Sequence, residues 1–393
     1  MRKVAVLGGG PAGAFAAEKL ARSGIETMLI DEKLAWEKPC GGGITYKAYE
    51  KYRFLKDNDT PKHLVTDTCV AAPRAGSARM TLRQPLLIYS RYDLNHLMLQ
   101  RARDSGAQVE KTRVLELKRQ QGRWRLRTRD GDLEADYCIV ATGARNPLRD
   151  VGTQLRPADA MIALGYYVPA NQQHIDIQFL PQLEGYIWVF PRCGHLSVGI
   201  CGKGEPAQKL RLRLEQYMRE KEIDYKNAQF YSHLLPSLET PAWRSNRIAG
   251  DGWMAVGDAG GLVDPITGEG LYYAMRSAEL ATDAILEDRH PMAELSGAYR
   301  RVLEHDFGDD LAFGASIARR VFLGRFLFRA VPTRMVEFMK RSPLFLELMQ
   351  DLFAGTQPYL TLRSRLLQNL NGTLQEILMN AFVQRILPGG QRA

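Results

Sequence analysis

Val4-Ala-Val-Leu-Gly8-Gly-Gly10-Pro11-Ala12-Gly13, a run of small residues, and then Thr27-Met-Leu-Ile-Asp31 decide the fold of this chain. An apolar strand runs into a glycine turn, a helix over Ala14–Ser23 follows, and a second strand ends in an acid. This is the first unit of a parallel α/β sheet that binds a dinucleotide through backbone geometry. Gly8 permits the tight turn. Gly10, with Pro11 and Ala12 at the helix entry, lets the main chain approach a pyrophosphate, and Gly13 lets the helix pack close to the sheet. The helix N-terminus offers free N–H groups and the positive end of its dipole to the phosphates. Asp31 stands where a carboxylate accepts hydrogen bonds from a ribose. A glycine-rich turn in an ordinary α/β domain does not require all three neighbours, and here strand, helix and acid fall in place together.

The chain has 393 residues, enough for two or three domains, with 45% hydrophobic and 25% charged residues. Those proportions are typical of a folded soluble protein. No apolar run reaches the length of a transmembrane helix. The first strand begins at Lys3 or Val4, so a cytoplasmic protein without a leader is expected. The cysteines (Cys40, Cys69, Cys138, Cys193 and Cys201) are widely spaced and form no CxxC, so neither a disulfide framework nor a metal site is expected.

Charge is unevenly distributed. Within the net +9, residues 311–393 carry 11 Lys or Arg against 4 Asp or Glu. The same stretch holds large apolar runs at Val321–Phe328, Phe345–Met349 and Ile377–Met379. Two readings stay open: basic amphipathic helices lying peripherally on an anionic membrane, or a helical domain with arginines facing water. An acidic electron carrier would suit the same charge. Nothing suggests nucleic acid.

Farther along, residues 46–80 read as irregular, with a small strand near Thr68–Ala71. Ile88–Ser90 reads as a short strand and Asp93–Ser105 as a helix. A meander over Gln108–Leu117 and Arg123–Thr128 leads to the buried strand Tyr137–Ala141 and to Thr142-Gly143. Residues 160–235 form an antiparallel layer, with strands at Ile162–Val168, Ile175–Phe179, Tyr186–Phe190 and Leu196–Ile200 and a helix at Ala207–Lys221. Trp253–Asp258 is a strand returning to the first domain, and a long helix covers Gly270–Glu287. The remainder reads as helical, broken at Pro332, Pro343, Pro358 and Gly372.

The returning strand carries a second motif, Gly257-Asp258-Ala-Gly-Gly-Leu-Val-Asp-Pro265-Ile-Thr-Gly268-Glu269-Gly270. Here the chain resembles the FAD-dependent oxidoreductases of the p-hydroxybenzoate hydroxylase-like fold. In that fold such a GD motif and a glycine-bearing stretch close the flavin site that the N-terminal unit begins. The resemblance covers roughly residues 1–290. It implies a Rossmann-like FAD-binding domain over 1–155 and 245–290. An antiparallel-sheet substrate domain over 156–244 and a C-terminal helical region over 291–393 complete the expected α/β architecture.

Tyr186-Ile-Trp188-Val-Phe190-Pro191 is similar to the YxWxFP motif of the geranylgeranyl reductase family, and Lys38-Pro-Cys40-Gly41-Gly42-Gly43 to its KxCGGG segment. Arg91 matches that family's arginine at the flavin. Ala141-Thr142-Gly143 departs from the Ala-Asp-Gly of many members, yet would still close the flavin site. Strand alternation puts Tyr186, Trp188 and Phe190 on one face, an aromatic wall suited to an apolar chain. The resemblance implies reduction of isolated C=C bonds in an isoprenoid or similar substrate. The site would use Cys40, Tyr186 and Trp188 in catalysis, and Tyr186, Trp188, Phe190 and Pro191 in substrate binding. The proton would come from Cys40, from Tyr46 or from water. With a single GxGxxG motif, NAD(P)H or ferredoxin would act as external reductant. An aromatic monooxygenase or halogenase on the same fold is the alternative, although halogenases show WxWxIP where this chain has Tyr186. A non-enzymatic flavin-binding protein is the third reading.

Overall fold

The computed structural model of the chain describes residues 2–287, 294–362 and 364–366. The expected break at Gly372 and the apolar run Ile377–Met379 lie outside the described residues.

Lys3–Leu7 sits in the middle of a six-stranded sheet, with Glu26–Ile30 parallel on one side and Tyr137–Val140 parallel on the other. Trp253–Ala255 joins Tyr137–Val140 in parallel, as the returning strand. Both faces of the central strand are covered, which is why it reads as a continuous apolar run. Val4 and Val6 face the helices Pro11–Arg22, Arg91–Asp104 and Leu271–Leu286. Ala5 and Leu7 face the meander Val114–Gln120, Arg123–Thr128 and Asp132–Ala135, through Trp124 and Leu126.

The second sheet has eight strands, in the order Gln229–Pro236, Ala160–Val168, His195–Lys203, Glu184–Arg192, Ile175–Phe179, Lys62–Ala72, Gly76–Tyr89 and Gly43–Ile44. Residues 46–80 are therefore not irregular. After a short helix, Tyr46–Lys51, they supply one whole strand and the start of another. The small strand near Thr68–Ala71 is part of Lys62–Ala72, and Ile88–Ser90 is only the tail of Gly76–Tyr89. The sheet thus takes three strands from outside 156–244. One of them, Lys62–Ala72, pairs with Ile175–Phe179 in parallel, so the layer is not purely antiparallel.

Alternation splits the strand Glu184–Arg192 between two cores. Ile187 and Val189 pack under the helix Ala207–Glu220 with Leu210 and Leu214. Tyr186, Trp188 and Phe190 point the other way, toward Phe322, Val336 and Met349 of the C-terminal region.

That region is built of helices Leu295–Leu303, Asp309–Leu323, Val331–Met339 and Pro343–Ala354. It is not wholly helical, because a small hairpin pairs Arg325–Phe326 with Arg329–Ala330. The helical run is broken ahead of Pro332 and Pro343 as expected, and each proline sits in the first turn of the next helix, where its missing N–H has no intrahelical partner to lose. Among the described residues, no helix is long and apolar enough to cross a membrane.

Candidate active site

The glycine turn leaves no room for side chains. Gly8 has φ +113°, and a Cβ there would stand 2.3 Å from the Ala141 carbonyl oxygen. A Cβ on Gly13 would stand 1.9 Å from the Gly8 carbonyl oxygen, so helix and turn touch through backbone alone. Gly10 caps the helix without a side-chain bond and has open space before it, and Pro11 occupies the first helical position. Ala12 meets the returning strand at Gly257. Asp31 accepts the Gly9 amide at 2.7 Å on one oxygen, and those of Lys33 and Leu34 at 2.7 and 2.6 Å on the other. A carboxylate has about four acceptor sites, so one remains for a ribose hydroxyl. Beside the turn, Thr142 is held by Asn146 at 2.9 Å, and Gly143 follows.

The loop after Asp31 is clamped by two residues that sequence reasoning missed. Arg192 is fully buried, forms an ion pair with Glu37, and donates to the carbonyls of Cys40 and, at 3.2 Å, Gly41. Glu37 also accepts from Ser90 Oγ at 2.6 Å and from the amides of Arg91 and Tyr92 at 2.9 and 3.2 Å. Burial alone would push the Glu37 carboxyl up, but Arg192 and these donors hold it below its ordinary value. The position of Arg192, directly after Pro191, was the only available signal. The clamped loop lies on the aromatic strand. The Phe190 ring is 3.2 Å from where a Gly41 Cβ would be and 2.9 Å from a Gly43 Cβ, while Gly42, at φ +87°, abuts the Tyr89 carbonyl. Cys40 Sγ accepts the Gly42 amide at 3.3 Å. Burial raises its thiol, but the guanidiniums of Arg91 and Arg192 outweigh that and hold it below the usual thiol range.

The returning strand ends at Ala255 rather than Asp258, and Asp258, half-buried in the turn Gly257–Gly260 that follows, accepts Lys38 Nζ at 2.8 Å. Burial opposes its charge, and Lys38 more than offsets this, leaving the carboxyl below its ordinary value. Gly257 donates its amide to Ser277 Oγ at 2.9 Å, and Gly270 caps the helix Leu271–Leu286. The neighbouring loop is joined to the aromatic strand, since Tyr186 Oη donates to the Thr267 carbonyl and lies 3.1 Å from where a Gly268 Cβ would be.

Arg91 is 3% exposed and its Nε has no partner; His233 Nε2 is likewise buried and unpartnered. Burial and Lys38 keep the His233 imidazole neutral. Buried donors are rarely left unpaired. With the bare helix start at Gly10, they fit an FAD laid from the glycine turn past Arg91 to Asp258 and the Gly268–Gly270 loop.

Alongside this crevice lies a cavity of about 720 Å³. Cys40, Gly41, Gly42, Tyr186, Trp188, Phe190 and Gly268 line it, so the two spaces meet at the Cys40 loop and at Gly268. Pro191 does not line it, because alternation turns that residue to the opposite face. Tyr46 does not line it either, and packs edge-on against Tyr49. The far end comes from the C-terminal helices, including Val321, Phe338, Phe345 and Met349. That volume lies within the range of small-molecule sites.

One acid on the wall was not expected from the sequence. Glu269 lines the cavity between Gly268 and Gly270 and accepts the Tyr272 amide on Oε1 at 2.8 Å. Burial pushes its carboxyl up to about 7, Asp264 adds to the rise, and Lys47 opposes it.

Known proteins place this arrangement in context. A family model described as pyridine nucleotide-disulphide oxidoreductase matches residues 2–158, and one described as FAD dependent oxidoreductase matches 82–278. The chain is 30% identical over 320 residues to the chloroplastic geranylgeranyl diphosphate reductase of Arabidopsis thaliana, covering 72% of this chain and 66% of that protein. It is 29% identical to digeranylgeranylglycerophospholipid reductase 2 of Methanothermobacter thermautotrophicus, covering 72% of this chain and 77% of that protein. In fold it is similar to a geranylgeranyl bacteriochlorophyll reductase-like protein of Thermoplasma acidophilum, with TM-score 0.76, 20% identity, and coverage of 94% and 98% of the two chains.

Proposed function

Since the chain belongs to the geranylgeranyl reductase family of FAD-dependent oxidoreductases, we propose that it reduces isolated C=C bonds of an isoprenoid or similar apolar substrate. The observation that carries this reading is the 720 Å³ cavity, walled by Tyr186, Trp188 and Phe190 and touching the flavin crevice at Cys40 and Gly268. When bound and reduced, FAD supplies a hydride to one alkene carbon while the other carbon takes a proton.

An isolated alkene has no carbonyl to hold negative charge, so the proton must move with the hydride or before it. Glu269 is the group we assign to that step. Its Oε1 is held by the Tyr272 amide, leaving Oε2 to carry the proton, and a carboxyl near 7 is partly protonated at neutral pH. Cys40 lies on the same wall, where the guanidiniums of Arg91 and Arg192 lower its thiol against the effect of burial. The faces of Tyr186 and Trp188 stabilise positive character on carbon, and the apolar wall excludes water. Recharging of the flavin falls to NAD(P)H bound transiently or to ferredoxin, in keeping with a single GxGxxG motif.

Anaerobic photoreduction of the holoprotein followed by addition of a prenyl lipid tests this reading. Reoxidation by the lipid without oxygen is the expected result. Reoxidation only by oxygen, with a hydroxylated or halogenated aromatic product, would favour the monooxygenase or halogenase. Inertness to both would favour a non-enzymatic flavin-binding protein.

A further inference from the structure

The hairpin at Arg325–Ala330 is unusual in its chemistry. Arg325 pairs with Ala330 and Phe326 with Arg329, leaving Leu327 and Phe328 as a two-residue turn. Both have left-handed backbone, with φ +47° and +66°. Asn-Gly adopts that turn at little cost, whereas bulky side chains there are strained. Packing does not offset the strain, because Phe328 is 96% exposed and Leu327 49%. The conformation is nevertheless firmly held. Arg334 donates to the carbonyls of Leu327 and Phe326 at 2.5 and 3.4 Å, and the Val331 amide donates to Gly324 at 3.0 Å.

Two further observations say what meets this tip. From Arg319 to Arg341 the chain has seven basic residues and one acid, Glu337. That acid is engaged by Arg329 and Arg334 at 2.6 and 2.7 Å, so the groups at the hairpin itself are three arginines, Arg325, Arg329 and Arg334, against one acid. In addition, Arg325 and Phe326 are exposed and also line the apolar cavity, which therefore opens to the surface beside the hairpin.

We infer that the Leu327-Phe328 tip inserts into an anionic lipid bilayer and seats the mouth of the cavity on the membrane. Strained, exposed apolar side chains find in the acyl boundary the burial that water denies them, and the arginines around them face lipid phosphates. A lipid then passes from the bilayer to Trp188 without crossing water. The inference rests on the proposed reaction only for the identity of what enters, not for the contact itself.

Co-sedimentation of the full-length holoprotein with vesicles of phosphatidylglycerol and phosphatidylcholine, and with phosphatidylcholine alone, tests it. Wild type is expected to bind the anionic vesicles, and the double variant Leu327→Asn, Phe328→Gly at least tenfold more weakly. That variant is expected to melt no lower than wild type, since Asn-Gly suits the turn. Phe328→Trp supplies a probe whose emission should shift to the blue on anionic vesicles and be quenched by brominated acyl chains. Equal binding by the double variant would overturn the inference, as would an unshifted emission from vesicle-bound Phe328→Trp. Hairpin-dependent self-association without vesicle binding would do so too, making a second copy the occupant. Flavin reoxidation by a dispersed prenyl alcohol separates the two readings. If both proteins fail it while wild type binds vesicles, the reductase assignment falls and the membrane contact stands.

Discussion

The Tyr359 hydroxyl lies 2.9 Å from both carboxylate oxygens of Asp264, tying the C-terminal helical region to the loop that carries Gly268, Glu269 and Gly270. Asp264 also accepts the amides of Ile266 and Thr267 at 2.8 and 2.9 Å, and Tyr186 donates to the carbonyl of Thr267. A short relay therefore runs from the cavity's far cover, through the loop at the flavin crevice, to the aromatic wall. Tyr359→Phe leaves a buried carboxylate with fewer donors and should cost about 1–3 kcal/mol, read by thermal or denaturant unfolding. The Asp264 carboxyl, already pushed up by burial, should rise further.

Glu37→Gln removes the charge that balances fully buried Arg192. A broken buried pair typically costs about 3–5 kcal/mol, because the remaining ion stays desolvated. Unfolding in denaturant should show that loss, with faster release of flavin as the Cys40 loop loosens. In wild type the Glu37 carboxyl is held below its ordinary 4.5. Its contribution is thus fully present above that pH and lost as pH falls through the lower folded value. The variant should lack this acid limb.

Glu269 must be protonated to donate. The single-turnover rate of anaerobic flavin reoxidation by a prenyl substrate should be flat below about pH 7 and fall roughly tenfold per unit above it. Glu269→Gln should lose most of the rate while retaining FAD, and Glu269→Asp should restore part of it with a limb. Stability runs in a related direction. A carboxyl raised from 4.5 to about 7 destabilises the fold progressively as pH rises through that window, so the Gln variant should be less sensitive to pH there.

Arg91 has a buried Nε with no partner beside Cys40. Arg91→Met should weaken FAD binding by roughly tenfold to a hundredfold, the worth of one charge-assisted hydrogen bond. Flavin fluorescence during titration of the apoprotein measures this. The Cys40 thiol should also titrate higher in the variant, because Arg91 helps hold it low.

The glycine turn, the Gly257-Asp258 return and the aromatic strand were legible because each is a short-range device, where backbone sterics or strand alternation act within a few residues. Arg192 and Glu37 were not, since their pairing spans 155 residues and depends on a sheet whose register no local pattern reveals. The strands Lys62–Ala72 and Gly76–Tyr89 were obscured by Pro73, Gly76 and Pro85. The signal was nonetheless present: Ala78, Met80 and Leu82 are buried while Arg79, Thr81 and Arg83 between them are exposed, the period of a half-buried strand. Glu269 was hidden for another reason. Nothing in Gly268-Glu269-Gly270 marks the acid between the glycines as buried, and only the closing of the cavity over it changes its chemistry.

The cavity is assembled from two parts of the chain that lie far apart in sequence. The residues assigned to the flavin lie before Leu271, whereas Val321, Phe338, Phe345 and Met349 at the far end belong to the C-terminal helices. Under the proposed reaction, those helices set how far into the cavity an apolar chain can reach. On the same reading, enlarging or shrinking Phe338, Phe345 or Met349 would change the length of substrate admitted while the residues assigned to the flavin stay as they are.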